Sequence, residues 1–177
     1  ETQENVYFYL TTTNENYKQP AMPEGVEEGI LKGIYKFKTV EAKNDYKVKL
    51  LGSGSILEQV RVASEILAND YGIASEVYSV TSYNELTREA QDVERTNLLD
   101  IEGKDKVPYI DQVLGEDEEN IIISATDYIK AYSLQLAPFV TGSFKALGTD
   151  GFGRSDSRAN LRSFSRKWKH WVNSKID

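Results

Sequence analysis

The chain has no cysteine and only one histidine, one methionine and four prolines in 177 residues. Without thiols it has no disulfides, no thiolate catalysis and no cysteine-built metal site, and a reducing compartment is compatible. The single histidine, His170, stands near the end of the sequence. No histidine pair can therefore hold a metal, and a Ser-His-Asp arrangement would have to use a terminal side chain. No segment is apolar for long enough to cross a bilayer. Positive charge is also in short supply: 21 Lys and Arg against 28 Asp and Glu give a net charge of −7 and a pI near 4.9. That balance argues against nucleic acid as the main partner. The first residues, Glu1-Thr2-Gln3-Glu4, carry no signal peptide and no initiator Met, which suggests an excised piece of a longer protein. The expectation is a cytoplasmic protein with neither membrane nor nucleic-acid partners.

What is present is an ordinary globular composition, 40% hydrophobic and 28% charged, sized for one domain with a small appendage. Residues 6–10 (VYFYL) read as a buried-type strand followed by a polar, proline-punctuated linker. A short helix should open at Pro23-Glu24 and end at Gly33. Residues 34–40 alternate as a half-buried strand, and 46–51 alternate again after an Asn44-Asp45 turn, so the two are expected to pair as an antiparallel hairpin. Gly52-Ser53-Gly54-Ser55 then leads into an amphipathic helix over 56–71, stopped by Gly72, and a strand over 73–80. This is a βαβ unit with parallel strands. Ser82 and Glu85 stand in capping-box spacing at the head of a polar helix reaching Leu99. Residues 101–107 read as loop, and Pro108-Tyr109-Ile110 is apolar but of no clear type. Residues 121–125 read as a buried strand, with Thr126-Asp127 capping a helix to about Phe139. The class is α/β: a three-layer sandwich whose small, mostly parallel sheet has one antiparallel edge strand and helices on both faces.

Two glycine turns are the candidate sites. The first is Ser53, Gly54 and Ser55, at the carboxyl end of a strand, where open α/β sheets place ligands. The second follows the strand at 144–147 in FKALGTDGFGRSDSRANL, where Asp150, Gly151, Gly153, Arg154, Ser155 and Asp156 precede a helix expected to open near Ser155 or Asp156. Glycines there permit close backbone approach, the serines and Asp156 can cap the helix, and a capped helix start beside Arg154 can hold an anion. The acid at Asp156 stands where a dinucleotide fingerprint needs its third glycine. The first turn admits close packing of helix on sheet, the second a capped turn, and either admits a site for a small anion or nucleotide in a regulatory domain. An independent enzyme using Asp150 or Asp156 with Ser155 lacks a base with any reason for a shifted pKa. Asp111, Glu116 and Asp117 do not follow EF-hand spacing.

Seven phrases together resemble one family: ENVYFYLTTTNENY, PAMPEGVEEGILKGIYKF, LLGSGSIL, VYSVTSYNELTREAQDVER, VPYIDQV, ATDYIK and LGTDGFGRSDSR. Over residues 4–162 the chain looks like the C-terminal part of the homodimeric bacterial pyruvate dehydrogenases, the thiamine-diphosphate-dependent first component of the pyruvate dehydrogenase complex. The resemblance implies three regions. Residues 1–23 are the closing strand and linker of the preceding pyrimidine-binding domain, 24–162 a transketolase C-terminal-like domain, and 163–177 an atypical basic tail. It also implies a parent that decarboxylates pyruvate and reductively acetylates lipoyl groups with thiamine diphosphate and Mg²⁺. The implied partners are the remaining domains, a second subunit and the lipoyl acyltransferase component. The family's diphosphate and metal motif, its ring-activating glutamate and its active-site histidines have no counterpart here. No catalytic, cofactor-binding or metal residue is therefore carried over, and the fragment alone is expected to bind no cofactor and to be inactive. After Arg162 the family pattern leads one to expect an acidic segment and an apolar helix. The sequence instead reads SFSRKWKHWVNSKID, with Arg166, Lys167, Lys169 and Lys175 around both tryptophans, and suggests an altered, non-native end.

Overall fold

The computed structural model describes residues 5, 7, 10, 12, 16–44, 46–100, 103, 105–151, 156, 157 and 160. The expected strand over 6–10 and the basic tail fall largely or wholly outside them; of the former, Tyr7 and Leu10 are described and exposed.

Five strands form one sheet: β1 Ile34–Val40, β2 Lys47–Ser53, β3 Ala74–Val80, β4 Ile121–Ile129 and β5 Ser143–Thr149, in the order β1-β3-β2-β4-β5. All neighbours run parallel except β1, which lies antiparallel to β3 at one edge. The helices are α1 Glu27–Lys32, α2 Ile56–Tyr71, α3 Tyr83–Leu99, α4 Tyr109–Leu114 and α5 Ala131–Leu134, with a 3₁₀ turn over Ala137–Phe139. The two faces are covered separately, as period-2 alternation requires. On one side Leu50, Val77 and Ala125 pack under α2 through Val60. On the other, Leu51, Tyr78 and Ile122 pack with Leu86 of α3, Ile110 and Leu114 of α4, and Leu136. The α/β sandwich with one antiparallel edge is thus present, with a core on each side of the sheet.

Three local expectations give way. The hairpin of 34–40 with 46–51 does not form, because both edges of β2 are taken by β3 and β4. Alternation reports that one face of β1 is wet, but it does not say which strand lies beside it. The short helix begins at Glu27 rather than at Pro23-Glu24, where the chain makes a turn through Gly25 at φ 74°. Finally, Thr126-Asp127 caps no helix: β4 continues to Ile129, and helical backbone starts only at Ala131. Thr126, Tyr128 and Ile129 are β-branched or aromatic and favour extended backbone. Thr126 Oγ1 accepts the Tyr128 N–H two residues on (3.2 Å), a local turn rather than a helix cap.

The untyped piece after Pro108 is α4, with Pro108 immediately before its first turn and Gly115 after it. Ser82 is the N-cap of α3, its Oγ accepting the Glu85 N–H at 3.2 Å. Ser82→Ala should lower stability by about 1 kcal/mol in urea titrations, the ordinary effect of losing such a cap. An unchanged midpoint would show that Glu85 N–H is equally well served by water.

Candidate functional site

The carboxyl ends of β2, β4 and β5 lie at one end of the sheet. From β2 the chain crosses through α2 to β3 on one side, and from β4 it crosses through α5 to β5 on the other. The direction of winding reverses between β2 and β4, which is where open α/β sheets form their crevice. Ser53 ends β2 there, and its Oγ donates to Thr126 Oγ1 of β4 at 3.0 Å. Just beneath, Tyr83 of α3 hydrogen-bonds Ser124 Oγ at 2.7 Å. These four residues are buried. Burial pushes the Tyr83 phenol above its ordinary pKa against the hydrogen bonds from Ser124 and Ser53. It therefore stays protonated at neutral pH and is no base. The hydroxyls satisfy one another and form a polar plug in the crevice floor.

Around this plug the two sequence-derived turns behave differently. Gly52 is a packing residue, since a Cβ on it would stand 2.8 Å from the Leu57 Cα and 3.1 Å from Val60 Cγ2. Gly54 holds φ 52°, and a Cβ there would meet nothing within 4 Å, so the tip of the turn is open. Ser55 takes up helical backbone before α2, and its side chain caps nothing. In the second turn Asp150 pairs with Lys130 at 2.7 Å, and Gly151 sits at φ 87° with open space beside it. Gly153, Arg154 and Ser155 lie outside the described residues. Asp156 is exposed, and its carboxylate accepts Asn160 Nδ2 (2.9 Å) and the Ser157 N–H (2.6 Å), which hold its pKa below the ordinary carboxylate value. Ser157 Oγ accepts the N–H of Asn160, which is in helical backbone (3.3 Å). The described part of this loop thus commits these oxygens to Lys130, to the Asn160 side chain and to its own backbone N–H groups.

Sequence reading missed two charged sites inside the fold. Glu76, buried in β3, meets Lys36 at 2.5 Å, Lys47 at 3.0 Å and the Tyr78 hydroxyl at 3.0 Å. A lone acid inside a strand that is otherwise apolar and small was the available signal. Lys49 of β2 donates to Asn120 Oδ1 at 2.6 Å and to the Leu114 carbonyl, and burial lowers its pKa. It ties the end of α4 and the following loop to the sheet. An open groove of about 460 Å³ runs between Val93, Leu98, Pro108 and Phe139, away from every strand-end candidate. Among the described residues no group of three His, Cys, Asp or Glu could hold a metal, and no helix is long and apolar enough to cross a membrane.

Residues 33–166, which include all five strands, match the model of the transketolase-like TK C-terminal domain. The chain belongs to that family. Among curated relatives, the chain is 57% identical over 163 residues to the pyruvate dehydrogenase E1 component of Escherichia coli K12, 54% over 164 residues to that of Haemophilus influenzae and 47% over 173 residues to that of Pseudomonas aeruginosa. The first of these matches takes in 92% of this chain but 18% of the relative, so the chain spans about a fifth of the length of the proteins it matches. Of solved structures, transketolase from Campylobacter jejuni superposes at a TM-score of 0.51 with 19% identity, over 89% of this chain and 20% of that one. That likeness concerns the fold alone.

Proposed function

We propose that the chain is the C-terminal domain of a pyruvate dehydrogenase E1 component, a homodimeric cytoplasmic enzyme that decarboxylates pyruvate and reductively acetylates lipoyl groups of an acyltransferase partner. The observation that carries this reading is the 57% identity over 163 residues with the E1 component of E. coli. In this reading residues 24–162 form the domain, 1–23 close and leave the preceding one, and thiamine diphosphate with Mg²⁺ belongs to domains upstream.

The described residues do not fit that cofactor. A diphosphate with Mg²⁺ needs converging oxygen ligands and free donors, whereas here Asp111 is taken up by the Thr141 N–H and hydroxyl at 2.7 and 2.9 Å, and Asp150 by Lys130. The crevice hydroxyls bond to each other. The role left to the domain is mechanical: it helps assemble the dimer and frames an active site built elsewhere.

Calorimetry decides the matter. Thiamine diphosphate with Mg²⁺ should give no binding heat with this chain, and a saturable isotherm together with acetyl transfer to a lipoyl domain once the upstream domains are supplied. Saturable binding by the chain alone would overturn the assignment and direct mutagenesis to Ser53–Ser55 and Asp150–Asp156.

A further inference from the structure

The sheet does not end evenly. β2 pairs with β4 only from Lys49–Gly52 to Ile122–Ala125 and stops at Ser53, while β4 runs on to Ile129. Beyond β2's end, β4 has only β5 for company. The ladder between them shifts register between Ala125 and Ile129 and resumes at the Ile129–Thr149 pair. Such a bulge bends a strand and re-aims its side chains.

The resulting ribbon is held in place from within. A Cβ on Gly148 would meet the Tyr128 carbonyl at 2.7 Å and the Lys130 N and Cα at 2.9 Å, so β5 passes this close only with glycine there. The Lys130 N–H donates to the Thr149 carbonyl at 3.0 Å, and the Lys130–Asp150 pair closes the tip. Tyr128 lies against Tyr132 in a tilted contact at 5.6 Å, and Tyr132 meets Tyr83 edge-on at 5.7 Å, so the outermost ring is braced against the core. Yet Tyr128 is 59% exposed and Ile129 45%. A two-stranded ribbon is marginal in water by itself. One that is braced, bent and tipped with an aromatic and an aliphatic side chain has the form of an interface anchor, which works best when its rotamer is already fixed. Other exposed apolar pairs, Val62 with Ile66 and Leu98 with Leu99, sit on regular helices that need no such construction.

We infer that the projecting β4–β5 ribbon seats this domain against the preceding domains of its own polypeptide, with Tyr128 and Ile129 as the buried anchors. The inference rests on the proposed reading, in which about four fifths of the polypeptide lies upstream of this C-terminal domain. A tethered neighbour is present at an effective concentration in the millimolar range, far above that of a second copy in dilute solution. It is therefore the first surface the ribbon meets.

The test uses the full-length enzyme with a photo-crosslinking residue, Tyr128→p-benzoylphenylalanine, and the same residue at Tyr46 as reference. Tyr46 is 73% exposed and precedes β2 at the opposite end of the sheet. The expected result is a crosslink from position 128 to an upstream peptide at monomer mass. A product at dimer mass assigns the ribbon to the partner subunit, and no product at all leaves it in solvent; either overturns the inference. Nitration of the unsubstituted protein supplies a check free of substitution. Tyr128 should react at least tenfold more slowly in the full-length enzyme than in this chain, while Tyr46 stays comparatively reactive. Equal Tyr128 rates, or equal slowing of both tyrosines, count against it. If the enzyme does not oxidise pyruvate but the crosslink forms as described, the functional reading fails and the docking surface stands.

Discussion

Gly52→Val should destabilise the chain by about 3 kcal/mol or more, near the upper end of what overpacking a core produces. The Cβ alone would stand 2.8 Å from the Leu57 Cα, which is backbone and cannot rotate away, and the valine methyls would press on Val60. Because Gly52 pairs with Ser79 on one side and Ala125 on the other, the strand cannot retreat either. The helix must therefore lift off the sheet and thin the contacts of Leu50, Val77 and Ala125 beneath it. Urea unfolding followed by far-UV circular dichroism measures the loss, and Gly54→Val serves as the comparison. At Gly54 a Cβ meets nothing, and the expected cost is that of the positive φ alone, about 1–2 kcal/mol. A Gly52 variant no less stable than the Gly54 variant would mean that α2 does not sit as close to β2 as described.

The contrast between these two glycines shows which parts of the chain were legible in its sequence. β2, the GSGS turn, α2 and β3 could be read in order because each carries its own periodicity and the connections are short. The polar helix after Ser82 was equally plain, since its cap is a local relation over three residues. What failed was information that is not local. Nothing in residues 34–40 names β3 as their partner, because the alternation of β1 records which of its faces is wet. Nothing near Ser53 announces Thr126, which lies 73 residues away and closes the crevice floor. Thr126 itself looked like a helix cap, because a threonine followed by an aspartate ahead of spaced apolar residues has the same local signature in both settings. The pull of β5 on β4 decided it. Of the second turn, Asp150 pairs with Lys130 in the structure, a partner that nothing in its own loop names. The ribbon it closes was invisible, because an overhang is a difference between the lengths of neighbouring strands.

Stability should fall on acidification through Glu76, and Glu76→Gln should remove most of that dependence. Burial alone would raise this carboxyl's pKa, but hydrogen bonds from Lys36, Lys47 and Tyr78 outweigh it and bring the value from 4.5 down to about 2. A depressed folded-state value means that the ionised form stabilises the fold. That contribution is complete above the unfolded value of 4.5 and is lost as pH falls toward 2. The full shift would correspond to about 3 kcal/mol at 1.36 kcal/mol per unit. Both lysines have nearly half their side chain in solvent, which screens the pairs, so the realistic figure is about 1–2 kcal/mol. Glu76 also stands opposite Lys49 in the β2–β3 ladder, so three lysines face this one acid. At pH 7 Glu76→Ala should therefore cost about 2 kcal/mol or more, since it leaves the buried Tyr78 hydroxyl without its acceptor and the lysines in mutual repulsion. Urea midpoints at pH 6 and pH 3 test the pH claim. The wild-type chain should lose about 1 kcal/mol more than Glu76→Gln over that interval, and parallel losses would place the acid sensitivity in other carboxylates.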